Sequence, residues 1–278
     1  MNKIGFMQGR LLPQYKNYYQ AHPVNLWQNE FKIANSLGLK NIEFIFDSNS
    51  KKLNPLMSDD GLYEINKYSK KYNVKVSSIC ADYFMDNYLF TNRKLLNSKN
   101  DIVIKKLIFA CKYLKCKNIV LPFVDKSSLS KRKDSIYNIK KNLKKHLNFA
   151  KKNKINFSLE SDLNPVKFLE LIKLLNHPVY KINYDMGNSA SLGYNSLDEI
   201  AKYGKYISVV HIKDRKYKGK SVFLGTGDVK FNDIFKSLSR LGFNGPITLQ
   251  SFRNKEGLQV FKKQFFWIKK KYLNKYNL

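Results

Sequence analysis

Cysteine is scarce: Cys80, Cys111 and Cys116 are the whole complement of a 278-residue chain. An odd trio cannot build a disulfide framework, and Cys111 and Cys116 lack the short paired spacing of a zinc ribbon. A reducing compartment, the cytoplasm, is therefore the expected location. Glycine (13) and proline (7) are too few for collagen-like or linker-rich architectures. No apolar run reaches the roughly 18 residues of a membrane span. Residues 1–14 show no apolar stretch followed by a small-residue cleavage site. No membrane partner is expected.

Acidic side chains are also few, 21 against 51 Lys and Arg, for a net charge of +30. Polycations attract phosphate backbones, but here the excess is nearly all lysine. It accompanies abundant Asn, Ile, Tyr and Phe and is spread along helix faces, as in residues 141–157. That pattern reads as compositional drift rather than a nucleic-acid interface. Only four histidines are present, which cannot supply the His-rich multi-zinc centre of a DNA-repair nuclease.

What is present is a large apolar content, 43% hydrophobic and 14% aromatic, which excludes disorder. Short β-rich runs recur at Lys3–Met7, Asn41–Phe46, Lys75–Cys80, Asn118–Leu121, Asn156–Glu160, Lys181–Asp185, Ser208–Ile212 and Pro246–Gln250. Lys-rich segments of helical period follow them, near 25–38, 58–72, 98–115, 132–153, 165–175, 197–204, 232–241 and 255–273. Alternating strands and helices predict βαβ units. Eight of them predict a single α/β domain over 1–278, a closed (β/α)8 TIM barrel. No G-x-G-x-x-G follows the first strand, which speaks against a dinucleotide fold. The last helix, basic and aromatic, is expected to dock Phe261, Phe265, Trp267 and Ile268 on the core.

Strand parity then sorts the side chains. Asn156, Ser158 and Glu160 share one face, Asn183 and Asp185 another, and Thr248 and Gln250 a third, each opposite apolar neighbours. The polar residue tends to come last, at the end where barrel active sites are built. Glu160, Asp185, His211 and Gln250 thus form a candidate metal set on four successive strands. Two carboxylates, an imidazole and an amide oxygen suit Mn²⁺, Mg²⁺ or Co²⁺, and Zn²⁺ less specifically. Such a cation polarises a carbonyl and eases removal of a proton beside it. His22, His146 and His177 read as ordinary structural residues.

The segment after the seventh strand carries Lys213, Asp214, Arg215, Lys216, Lys218 and Lys220, then Gly225-Thr226-Gly227. Backbone N–H groups of Gly-rich turns cradle anions, and phosphate sites in barrels often use these loops. Arg215, Gly225, Gly227 and Arg253 are therefore candidate phosphate contacts. Residues 7–13, MQGRLLP, bring Gln8 and Arg10 to the same rim.

The segments FSLES, INYDMGNSAS, HIKD and LGTGDVKF, in this order, resemble the xylose isomerase-like barrel superfamily of sugar isomerases and epimerases. The likeness is nearest to the L-ribulose/L-xylulose 5-phosphate 3-epimerase branch and spans essentially the whole chain, including GLKNIE at 38–43. It implies a metal-assisted isomerase or epimerase acting on a sugar or sugar phosphate, with a homo-oligomer compatible. In that family Glu, Asp, His and Glu of strands five to eight bind the metal, and the two Glu serve as acid/base groups. Glu160, Asp185 and His211 match, and Gln250 stands where the family has Glu. The resemblance also implies Asn188 as a substrate contact, with Glu43, Lys213 and Asp214 in the same shell.

An amide is not a usable base near neutral pH. The departure favours one-base isomerisation through Glu160, or an epimerase whose second base lies elsewhere, with Glu43, Asp82 and Asp162 as the available carboxylates. A related sugar or inosose-type dehydratase and a non-catalytic carbohydrate-binding barrel are the alternatives.

Overall fold

The computed structural model describes residues 4–91, 93–130 and 135–276. Eight parallel strands close into a barrel in chain order, the last pairing with the first. They are β1 (Ile4–Met7), β2 (Asn41–Ile45), β3 (Lys75–Cys80), β4 (Asn118–Phe123), β5 (Asn156–Ser161), β6 (Tyr180–Asp185), β7 (Ile207–Ile212) and β8 (Ile247–Leu249). The barrel expectation holds, with strand ends displaced by one or two residues; Lys3 lies outside the described residues.

Helices α1 (Trp27–Ser36), α2 (Asp59–Tyr72), α3 (Lys94–Leu114), α4 (Ser135–Lys152) and α5 (Pro165–Leu175) follow the first five strands. Local chemistry sets their ends. Asn164 accepts from Lys167 N ahead of Pro165, and Asn176 closes α5 in the left-handed conformation, the pairing of cap and stop that favours a short helix. Two helices, α6 (Met186–Ser191) and α7 (Ser196–Tyr203), follow β6. The sequence periodicity missed α6, because six residues of MGNSAS carry no amphipathic stripe. Then come α8 (Phe231–Arg240) and α9 (Leu258–Ile268). Phe261, Phe265 and Ile268 of α9 are buried, and Trp267 packs half-buried against the core.

Strand parity separates two environments. Phe157, Leu159, Ile182, Tyr184, Val210, Ile212, Ile247 and Leu249 face outward into the large core under the helices. A small inner cluster of Met7, Ile45, Cys80, Val120 and Val209 sits inside the barrel. The remaining inward positions are polar and buried: Glu43, Ser78, Ser158, Glu160, Asn183, Asp185, His211 and Thr248. Burying that many polar groups without partners would cost several kcal/mol. Ser158 bonds to Asn118 and Ser208, while Glu43, Ser78, Thr248, Glu160, Asn183 and Asp185 bond among themselves or to neighbours nearer the mouth.

Candidate active site and metal centre

Glu160 on β5, Asp185 at the end of β6 and His211 on β7 come together at the C-terminal rim. One ligand atom from each lies within 4.8 Å of the others. His211 Nδ1 is 3.7 Å from Glu160 Oε2 and 3.9 Å from Asp185 Oδ2. The other ring nitrogen, Nε2, lies 2.8 Å from Glu43 Oε1. Glu43 is itself held from below, its Oε2 accepting from Ser78 Oγ and, at 3.2 Å, from Thr248 Oγ1. A carboxylate beside Nε2 favours a proton there and leaves Nδ1 facing the two acids, the arrangement by which a carboxylate orients a metal-binding imidazole.

Amides fix Glu160. Asn188 Nδ2 donates to Oε1 at 2.6 Å and Asn183 Nδ2 to Oε2 at 2.9 Å. Burial, aided by the neighbouring Asp185, pushes the Glu160 carboxyl up to about 7. Burial works against the His211 imidazolium, but Glu43, Glu160 and Asp185 outweigh it and raise the ring to about 9. The Asn183 amide, 3.1 Å from Nδ1, opposes a proton at that nitrogen. Asp185 acts at both of its oxygens. Oδ1 accepts from Asn188 N at 2.7 Å and caps α6, while Oδ2 lies 3.4 Å from Lys213 Nζ.

Above this cluster opens a cavity of about 690 Å³, lined by Glu160, Asn188, Lys213, Arg215, Gln250 and Asp82 among others. Gln250 Nε2 donates to Gln20 Oε1 at 2.7 Å. Its Oε1 is buried and has no hydrogen-bond partner among the described residues. Two carboxylates and an imidazole whose ligand atoms lie this close together are a donor set that fits a hard or borderline divalent cation, and the orphaned Gln250 acceptor lies on the wall of the cavity above them.

The geometry corrects several of the expected substrate contacts. Glu43 is fully buried beneath His211 and does not line the cavity. The Gly225-Thr226-Gly227 turn is already filled by the chain's own carboxylate. Asp214 Oδ2 accepts from Gly225 N (2.8 Å) and Gly227 N (2.9 Å), and its Oδ1 accepts from Val229 N (3.3 Å). A Cβ at Gly227 would meet Asp214 Oδ1 at 2.0 Å. The turn therefore holds an internal anion, and Asp214 staples the loop rather than facing substrate. Arg253 is buried as well, donating to Leu12 O at 2.8 Å. Asn188 and Arg215 do line the cavity, joined by a 2.8 Å bond from Arg215 Nη1 to Asn188 Oδ1.

Asp214→Ala would strand three backbone donors. It is expected to cost about 3 kcal/mol of stability, read as a lower midpoint in urea unfolding. An unchanged midpoint would show that water replaces the carboxylate at no cost.

Sequence reasoning missed Gln20 and Asn183. Asn183 lay on the inward face by parity, yet an amide there carried no chemical signal of its own. Gln20 sits in the long connection between β1 and α1, where no periodicity marks direction. Long loops at the C-terminal rim are nevertheless where barrel sites recruit residues.

Residues 31–271 match the family described as the xylose isomerase-like TIM barrel. The chain belongs to that family. Within it, the L-ribulose-5-phosphate 3-epimerase UlaE of Shigella flexneri is 22% identical over 242 residues, 84% of this chain and 85% of the relative. Among solved structures, the apo 3-keto-D-glucoside 4-epimerase YcjR of E. coli aligns with a TM-score of 0.74 at 16% identity, over 97% of this chain and 100% of that one. The IOLI protein with a bound zinc atom aligns with a TM-score of 0.71 at 20% identity, over 97% and 99%. A D-allulose 3-epimerase from Methylomonas sp. in complex with D-allulose gives 0.72 at 17% identity, over 97% of each chain. At these identities the structural likeness is one of fold.

Proposed function

We propose that this barrel is a metal-assisted sugar or sugar-phosphate isomerase or epimerase that moves a proton beside a carbonyl. The convergence of Glu160, Asp185 and His211 under a cavity of sugar size carries this reading. Glu160, Asp185 and His211 would hold one divalent ion, with the Gln250 amide oxygen as the fourth donor. When bound, the ion supplies electrophilic polarisation of the substrate carbonyl and acidifies the adjacent C–H.

Glu160 takes or returns the carbon-bound proton. Without metal, burial lifts this carboxyl to about 7; beside a bound cation its ionised form is favoured, the state in which it can accept a proton. Asn183 and Asn188 hold both of its oxygens, so the proton is handled at a fixed place. Lys213 and Arg215 flank the cavity with positive charge and would orient substrate hydroxyls. Arg215 and Lys220, which line the cavity, would receive a phosphate in place of the Gly turn.

The test is solvent exchange: with Mn²⁺ in D₂O, L-ribulose 5-phosphate or D-allulose should gain deuterium beside the carbonyl. A protein that incorporates none into these or related ketoses contradicts the reading. Gln250→Glu adds a negative charge to the donor set and should tighten Mn²⁺ binding roughly tenfold. Titration calorimetry showing equal or weaker binding would remove Gln250 from the shell.

A further inference from the structure

An amide at position 250 leaves the face opposite Glu160 without its expected base, and the structure shows which group stands next to that amide. Gln250 Nε2 donates to Gln20 Oε1, and Gln20 Nε2 donates in turn to Asp82 Oδ2, each at 2.7 Å. The Gln20 amide cannot turn over, because its oxygen also accepts from Arg10 Nη2 at 3.1 Å. Arg10 is anchored by the carbonyls of Ser251 (3.1 Å) and Tyr19 (3.2 Å). A single fixed amide thus separates Gln250 from the carboxylate of Asp82, which lines the same cavity as Glu160.

We propose that Asp82 is the acid/base group that faces Glu160 across the substrate, and that the reaction is an epimerisation rather than a one-face isomerisation. This deepens the function proposed above and rests on it.

The other carboxylates near the mouth are engaged or misplaced. Glu43 lies beneath His211, and Asp162 does not line the cavity. Asp47 spends Oδ2 on His22 N and Oδ1 on Ser50. Asp86 and Asp125 are exposed at the outer rim, Asp86 facing Lys126 at 3.4 Å. Asp82 is half-buried, with one side-chain donor on each oxygen, Gln20 on Oδ2 and the Cys80 thiol on Oδ1 at 3.2 Å. Burial raises its carboxyl above the ordinary range, against the two hydrogen bonds, as suits a group that must carry a proton in one half of a cycle.

The balance is simple. One carboxylate removes the proton on the carbon beside the carbonyl, and the C–H electron pair moves into the C–C bond while the carbonyl oxygen takes the charge of an enediolate. The other group, entering as the acid, delivers its proton to the opposite face of the same carbon, and the carbonyl re-forms. Glu160 and Asp82 exchange protonation states and reset through solvent. No oxidant or co-reactant is needed.

The experiment uses the full-length protein with Mn²⁺ and L-ribulose 5-phosphate or D-allulose in D₂O, following epimer formation and deuterium by NMR. The wild type should place deuterium mainly in the epimer. Asp82→Asn keeps an acceptor for Gln20 and so keeps the fold, checked by circular dichroism. It should lower epimer formation at least about 100-fold in both directions, while Glu160 still washes deuterium into the one epimer whose proton faces it. Gln20→Ala, which frees Asp82, should shift the same ratio in the same direction. An Asp82→Asn protein that epimerises at the wild-type rate, or that loses washout and inversion equally when started from either epimer, overturns the assignment. A wild type that exchanges no hydrogen with either sugar or related ketoses instead overturns the proposed function beneath it.

Discussion

Replacing Glu160 by Gln is expected to lower proton exchange by about 10²- to 10⁴-fold, the range by which positioned acid/base groups contribute. The substitution is nearly isosteric, so the fold should survive, although Gln keeps an acceptor for only one of the Asn183 and Asn188 amides. What disappears is a titratable group and one charged metal donor together. Measuring deuterium washout at saturating Mn²⁺ separates the two losses. Exchange that recovers fully when metal is raised would make Glu160 a ligand only, and exchange that stays low at full occupancy makes it the base. Asp185→Asn supplies the contrast, since it removes a donor and weakens the cap of α6 without removing the base.

Metal affinity should depend steeply on pH. The ion competes with protons at its ligands, and here burial with Asp185 raises Glu160 to about 7, while Glu43 and the two site acids raise His211 to about 9. Below pH 7 both groups carry protons that binding must displace, so affinity rises by up to about 100-fold per pH unit. Between 7 and 9 one displaced proton remains, for about tenfold per unit. From pH 6 to 8 the expected gain is therefore about 1,000-fold, accompanied by proton release that calorimetry in buffers of different ionisation enthalpy would count. An affinity flat across that range would mean that neither Glu160 nor His211 Nδ1 carries a proton for the metal to displace.

The architecture was legible because each strand announces itself twice, by β-branched and aromatic content and by the Lys-rich helical period that follows. Parity did the same for the site: Ser158 and Glu160, or Asn183 and Asp185, turn inward because Phe157, Leu159, Ile182 and Tyr184 must reach the outer core. Loops are different. Gly225-Thr226-Gly227 reads as an empty anion cradle in sequence, and only three dimensions show Asp214 folded back into it. The pairing of Gln20 with both Gln250 and Asp82 joins three loops or strand ends far apart in the chain, and no local rule connects them. Asp185 shows a further limit, for a strand-end acid that caps a helix and one that belongs to a cluster able to hold a metal are the same residue here.

The most direct test is a crystal structure with Mn²⁺ added, read by its anomalous scattering. The predicted result is one peak between Glu160, Asp185 and His211 Nδ1, about 2 Å from each ligand atom, with the Gln250 amide oxygen turned toward it. A protein that takes up Mn²⁺ elsewhere, or shows no peak at this position at millimolar metal, would contradict the assignment of this barrel as a metal-assisted enzyme.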